Sequence, residues 1–268
     1  MTAVDDFTTC GAALVGRRIR VLPVVTSTND ILKAEAETGA AVEGDILLAE
    51  HQTAGRGRLD RSWESPPGKS LLFSVLLFPG TPAEHLQLMG LMVSLGVQDG
   101  LGEYLRRTVP DAERYIRALR LKWPNDLMVG NRKLCGILSD AGVDGSGRGF
   151  AVVGAGVNVN QSLTDFPQVL RSAATSLYIM TGTEHRRAQL LKDMVSSIEM
   201  YYNRLLADGS SWIAPAWLER SGIEGQRLEI KVADAVISGI CVGLNGDGAI
   251  KLGLPNGQVR IIYSGDVC

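Results

Sequence analysis

Gln52-Thr-Ala-Gly-Arg-Gly-Arg-Leu-Asp-Arg-Ser-Trp63 lies between two apolar runs, Ile46-Leu-Leu-Ala49 and Ser70-Leu-Leu-Phe-Ser-Val-Leu-Leu-Phe78. Short apolar runs bounded by polar residues read as buried strands, so the stretch is a loop joining two core strands. Within it Gly55, Arg56, Gly57 and Arg58 alternate, and Arg61 follows. Glycine frees the backbone to approach a ligand and offer its N–H groups, while arginine supplies a forked donor suited to phosphate or carboxylate. A cationic loop of this kind is either an anion-closing lid or a solvated basic turn.

Working outward, Thr26-Ser-Thr-Asn-Asp-Ile-Leu-Lys-Ala-Glu-Ala-Glu predicts a helix closed by Gly39, with Ser27 as N-cap and Asp30 in a capping-box-like position. A second helix is expected from about Ala83 to Arg107, with Leu86, Met89, Val93, Val97, Leu101 and Tyr104 at helical spacing. The centre is β-rich. Strands are expected over 118–123, 126–129 and 132–138, the last two joined by the hairpin turn Gly130-Asn131, and over 150–159. A helix from about Arg186 to Leu206 follows. After Gly222 short alternating runs are separated by Asn245-Gly246 and Asn256-Gly257, which describes a small all-β barrel or sandwich. The chain therefore reads as two domains, 1–221 and 222–268.

Composition sets bounds. At 268 residues the chain can bury a sizeable core, and 45% apolar with 21% charged residues is ordinary for a soluble protein. A net charge of −2 argues against a dedicated DNA-binding protein. No apolar run reaches the ~20 residues of a membrane span, and the N-terminus lacks a signal-peptide pattern. Cys10, Cys135, Cys241 and Cys268 form no CxxC pair, as expected of reduced thiols in the cytoplasm.

Two nucleotide-binding patterns fail. Gly68-Lys69-Ser70 ends like a P-loop, but Trp63 stands where its first glycine belongs. Gly154-Ala-Gly156 starts like a dinucleotide fingerprint, but the third glycine position is Val159.

Lys122-Trp-Pro-Asn-Asp126 is the second informative run. Pro124 ends a strand, so Asn125 and Asp126 emerge at the rim of the sheet. Asn125 suits a ribose or phosphate, Asp126 a Mg²⁺ ion or a lysine, and both are also ordinary turn residues. Lys133 opens an otherwise apolar strand, where a cation needs a partner, an anionic ligand or solvent.

Taken together, Ser27-Thr28-Asn29, Gln52…Arg58…Trp63, Lys122-Trp-Pro-Asn-Asp126, Lys133…Gly136 and Gly154-Ala-Gly-Val-Asn158 resemble the biotin protein ligase family, over most of residues 25–160. The resemblance implies an α+β fold. A mixed central sheet with flanking helices, similar to class II aminoacyl-tRNA synthetases and lipoate ligases, would carry an SH3-like C-terminal barrel. Such ligases activate biotin with ATP to biotinyl-5′-adenylate and pass the biotinyl group to a lysine of a biotin carboxyl carrier protein domain. Lys133 would then touch the biotin carboxylate and the α-phosphate, with Arg56 and Arg58 closing over the adenylate. Ser27, Thr28, Asn29 and Gln52 would face the ureido ring. Backbone near Gly55 and Gly136 would let the ligand pack closely. Trp63 would offer a surface to adenine or fill core. Asn125 and Asp126 would serve ATP and its Mg²⁺, and Asn158 the adenylate.

Asp60 departs from the glycine that many members carry, and would tune loop closure or acceptor docking. Repressor-type members begin with a winged-helix DNA-binding domain, for which the 26 residues before Ser27 are too few, so the monofunctional class is expected. A homodimer is compatible with the family. The competing readings are a lipoate or octanoate ligase of the same fold and a non-enzymatic DNA- or ligand-binding module.

Overall fold

The computed structural model describes residues 6–7, 13–59, 61–80 and 85–268. Strand β1 (Ile19–Val25) leads through helix α1 (Thr28–Thr38) to β2 (Ile46–Gln52), and β3 (Ser70–Leu77) follows. Then come α2 (Leu88–Thr108), α3 (Ala112–Ile116), β4 (Leu119–Lys122), β5 (Asp126–Val129), β6 (Arg132–Val143) and β7 (Gly149–Asn158). The domain ends with α4 (Leu177–Thr181), α5 (Arg187–Asp208) and α6 (Ile213–Ser221). The seven strands form one mixed sheet in the order β1-β2-β3-β7-β6-β5-β4, with β1 and β2 parallel and the other neighbours antiparallel.

Helices α2 and α5 pack together over one face of the sheet. Gly96 and Gly100 make this possible: a Cβ on Gly96 would sit 2.7 Å from Ile198 Cγ1, and one on Gly100 2.4 Å from the Cα of Met194. Glycine inside a helix costs about 0.5–1 kcal/mol relative to alanine, and here close backbone approach offsets it. On the opposite face α1 lays Leu32 and Ala36 on Leu47, Leu76, Phe150 and Val152. Successive side chains alternate between faces, so Ser74, Asp126, Gly136, Leu138, Gly154 and Gly156 share α1's face. Helix α1 covers only part of it, and the remainder is where the cavity lies.

The expected strands and long helices are present, with two differences. Helix α2 starts at Leu88 rather than near Ala83; residues 81–84, Ala83 among them, lie outside those described. Strand β1 had no expectation attached. Its pattern is weak because it is a sheet edge containing Pro23, with Val21 and Val24 exposed.

Beyond Ser221 the chain forms β8 (Arg227–Val232), β9 (Ala235–Leu244), β10 (Ile250–Gly253), β11 (Val259–Ile262) and β12 (Asp266–Val267). These make an antiparallel sheet ordered β11-β10-β9-β8-β12. Leu228 and Ile230 point inward while Arg227, Glu229 and Lys231 are exposed, the period-two pattern of a half-buried strand. The inner residues join the core beneath α2, and Trp123 Nε1 donates to Gly248 O at 3.0 Å across the junction. Among the described residues no helix is long and apolar enough to cross a membrane.

Candidate active site

A cavity of about 400 Å³ opens on the face of the sheet that α1 leaves uncovered, within the range of a small-molecule site. Its floor is made by absent side chains. Gly136 and Gly156 are partners across β6 and β7, and the ring of Trp63 lies on both. A Cβ on Gly156 would sit 2.6 Å from Trp63 Cε2, and one on Gly136 2.9 Å from Cζ3. Trp63 thus forms part of the wall, and its buried Nε1 has no hydrogen-bond acceptor.

One end of the cavity is neutral and polar. Ser27 caps α1, accepting from the Asp30 N–H at 3.3 Å. Asp30 gives no reciprocal cap, its carboxylate pairing instead with Arg56. The helix start places Thr28 and Asn29 over the sheet, each 4% exposed. Gln52, at the end of β2, accepts from the Thr28 N–H at 2.7 Å and from its hydroxyl at 3.1 Å. Ser74 of β3 lies 2.7 Å from Thr28 Oγ1 and donates to Asn29 Oδ1 at 2.5 Å.

The other end is cationic. Strict alternation would put Lys133 on the face opposite Gly136. A bulge intervenes: Leu127 pairs with Cys135 but Met128 with Lys133, leaving Leu134 unpaired. The extra residue turns Lys133 into the cavity, where its Nζ stands 2.6 Å from Asp126 Oδ1 and 5.6 Å from the centre of the Trp63 ring. Backbone bonds to Ala173 and Thr175 fix it, Lys133 N–H donating at 2.7 Å and its carbonyl accepting at 2.9 Å. Asn158 Nδ2 approaches the same carbonyl at 3.5 Å and is backed by Gln161 at 3.0 Å. Asn125 donates its side-chain amide to Ile137 O while its own carbonyl accepts from the Ile137 N–H, so it braces the β5–β6 hairpin.

The loop after β2 folds back on itself, with Arg56 and Ser62 bridged and the Trp63 N–H donating to Gly55 O at 2.8 Å. Arg56 reaches Asp30 at 2.6 Å and Asp140 at 2.7 Å. Arg58 donates to Gly265 O at 3.1 Å and stands 3.5 Å from Asp266, which also pairs with Arg61. Burial draws the Arg58 guanidinium below its ordinary range, with Asp266 and Asp126 countering. A desolvated cation beside a cavity is primed for an anionic ligand.

The cavity wall therefore gathers Ser27, Thr28, Asn29, Gln52, Arg56 and Arg58 with Trp63, Asn125, Asp126, Lys133, Gly136 and Asn158. Gly55 does not line the cavity. It is buried behind the wall, where its carbonyl holds Trp63. Asp60 lies outside the described residues. Sequence reasoning missed Ser74, Asp140 and Asp266. Ser74 carried a signal, a hydroxyl in the middle of the otherwise apolar run 71–77; Asp266 carried none, being 208 residues from Arg58.

Asp126, the residue expected to hold Mg²⁺, is engaged by Lys133. Among the described residues no group of three His, Cys, Asp or Glu side chains is placed to hold a metal ion.

The Biotin/lipoate A/B protein ligase family matches residues 21–158, and the Biotin protein ligase C terminal domain matches residues 225–268. The chain is 30% identical to the biotin–[acetyl-CoA-carboxylase] ligase of Mycobacterium tuberculosis, over 96% of this chain and 91% of that protein. It is 28% identical to the bifunctional ligase/repressor BirA of Bacillus spizizenii, over 95% of this chain and 74% of that protein. The structure of the Aquifex aeolicus biotin protein ligase in complex with biotin and ATP superposes with a TM-score of 0.75. It covers 94% of this chain and 98% of its own, at 28% identity. With both family matches in chain order over a shared fold, the chain belongs to the Biotin/lipoate A/B protein ligase family.

Proposed function

We propose that the chain is an ATP-dependent biotin protein ligase, with catalytic residues 1–221 and a C-terminal domain of residues 222–268. The observation that carries this is one cavity with two chemistries: a neutral hydrogen-bonding end at Ser27, Thr28, Asn29 and Gln52, and a cationic end at Lys133, Arg56 and Arg58. A cyclic urea with a carboxylate tail fits that order. A biotin carboxylate oxygen attacks the α-phosphorus of ATP, the bond to pyrophosphate breaks, and biotinyl-5′-AMP forms. The two reacting groups are both anions. Lys133 and Arg58 lower their repulsion and hold them in line, and the loop over 52–63 shields the mixed anhydride from water. The amine of an acceptor lysine, on a biotin carboxyl carrier protein domain, then attacks the acyl carbon. AMP leaves, and the amine loses its proton to solvent.

Trp63 offers its ring and Nε1 to the ligand, Asn125 and Asn158 hold the β5–β6–β7 rim against the adenylate, and Asp126 orients Lys133. Mg²⁺ would arrive with the ATP phosphates. The enzyme would work in the cytoplasm, without DNA or membrane as a partner. An octanoate or lipoate ligase would need an apolar slot where Thr28, Asn29 and Gln52 stand, which favours biotin.

Purified protein with biotin, ATP and Mg²⁺ should exchange labelled pyrophosphate into ATP and should biotinylate an isolated carrier domain. Exchange supported by octanoate or lipoate but not by biotin would overturn the assignment.

A further inference from the structure

Asp140 lies on β6 two residues beyond Leu138, on the cavity face, and the roles assigned above leave it unused. Its carboxylate is one-fifth exposed, and a single oxygen, Oδ2, serves two donors. Asn29 Nδ2 donates to it at 2.8 Å and Arg56 Nη2 at 2.7 Å. The remaining bonds of Asn29 are directional as well. Its Nδ2 also donates to Leu138 O at 3.2 Å, and its Oδ1 accepts from Ser74. The amide packs against β7, where a Cβ on Gly154 would sit 2.2 Å from Oδ1. Turning the amide over would set its carbonyl against both Asp140 and the Leu138 carbonyl, leaving buried acceptors facing each other. Asp140 therefore fixes which way Asn29 points. The same oxygen anchors the first arginine of the loop, which Asp30 steadies from α1.

We propose that Asp140 is a positioning residue for the first half-reaction. It sets the Asn29 amide in the ring pocket and the Arg56 guanidinium of the loop in one geometry. The continuous chain Gln52–Thr28–Ser74–Asn29–Asp140–Arg56 supports this, because four of its six members line the cavity and the other two, Ser74 and Asp140, each touch two that do. A charge-assisted hydrogen bond contributes more than a neutral one, so the carboxylate rather than its shape is what matters. The inference rests on the biotin ligase reading.

The test is pyrophosphate exchange by the purified full chain, with KM measured separately for biotin and ATP. Asp140→Asn is expected to raise the biotin KM by about tenfold or more, the loss of one charge-assisted bond, while the ATP KM stays within about twofold. Arg56→Gln combined with Asp140→Asn should be no worse than the poorer single variant within about twofold, because both cut the same link. Asp140→Glu, which keeps the charge, should recover most of the biotin affinity. Equal rises in both KM values, multiplicative losses in the double variant, or a Glu variant as poor as the Asn variant would overturn the proposal. Wild-type protein without biotin-dependent exchange would instead overturn the ligase reading, and this inference with it.

Discussion

Replacing Gly156 by alanine tests the cavity floor directly. The new Cβ would stand 2.6 Å from Trp63 Cε2 and 2.9 Å from both Cζ2 and Nε1. Carbon atoms in contact settle at about 3.5–4.0 Å, so the indole must withdraw by roughly 1 Å. Two outcomes compete. If Trp63 were locked in the core, overpacking would cost about 1–3 kcal/mol of stability. Trp63 instead sits at the end of the loop and is only partly buried, with a Gly55 backbone bond as its nearest tether. Gly156 itself has an ordinary strand backbone, without positive φ, so alanine adds no backbone strain. The loop should yield before the sheet does. Stability should fall by less than about 1 kcal/mol, while a displacement of this size at a reaction centre lowers turnover by about a hundredfold. Urea unfolding and pyrophosphate exchange measure the two quantities. Trp63→Leu in the Gly156→Ala background should restore part of the activity, because the leucine leaves room for the new methyl. Full activity in Gly156→Ala, or a loss of several kcal/mol with no rescue, would refute the placement of Trp63 on the glycine floor.

Lys133→Ala should slow biotinyl-adenylate formation by about 10²–10³-fold, the cost of removing one preorganised electrostatic partner. Circular dichroism should stay native, because the side chain is one-third exposed; near-wild-type single-turnover rates would remove Lys133 from its role. Burial pushes the Cys135 thiol up to about 12, so at pH 8 it should resist iodoacetamide in the folded protein while exposed Cys268 is alkylated. Comparable labelling of the two by mass spectrometry would contradict its packing. His185 is 5% exposed, packs at a tilt against Tyr104 with ring centroids 5.6 Å apart and bonds Thr181 at 2.8 Å. Burial lowers its pKa below the ordinary imidazole value. As pH falls below about 6.5 the unfolded chain takes up this proton first, so stability should be complete above that pH and decline beneath it. His185→Gln should flatten that part of a pH series of denaturation midpoints, and an unchanged slope would exclude His185 as its source.

The layers of the fold were legible because burial writes itself into the sequence. β3 is buried at all eight positions and reads as a near-continuous apolar run, while α2 and α5 carry their inward residues at helical spacing. β1 was not legible, since an edge strand half open to water needs no such pattern. The site was legible wherever a residue type was locally out of place: arginines among glycines, a lysine heading an apolar strand. What stayed hidden were relations between distant residues. Nothing near Asp266 marks it as the partner of Arg58 and Arg61, because the pairing exists only once β12 closes against β8. Lys133 is the instructive case. Alternation counted back from Gly136 would send its side chain into the helix-covered core, an unpaired cation beside Cys135 and Ile137. The bulge at Leu134 removes the conflict by shifting the register one residue, so the lysine joins Gly136 on the cavity side while Leu134 and Cys135 both stay buried. A cation that strict alternation cannot accommodate is thus the sequence's trace of a bulge. Its chemistry demanded the cavity face, and the strand bends to put it there.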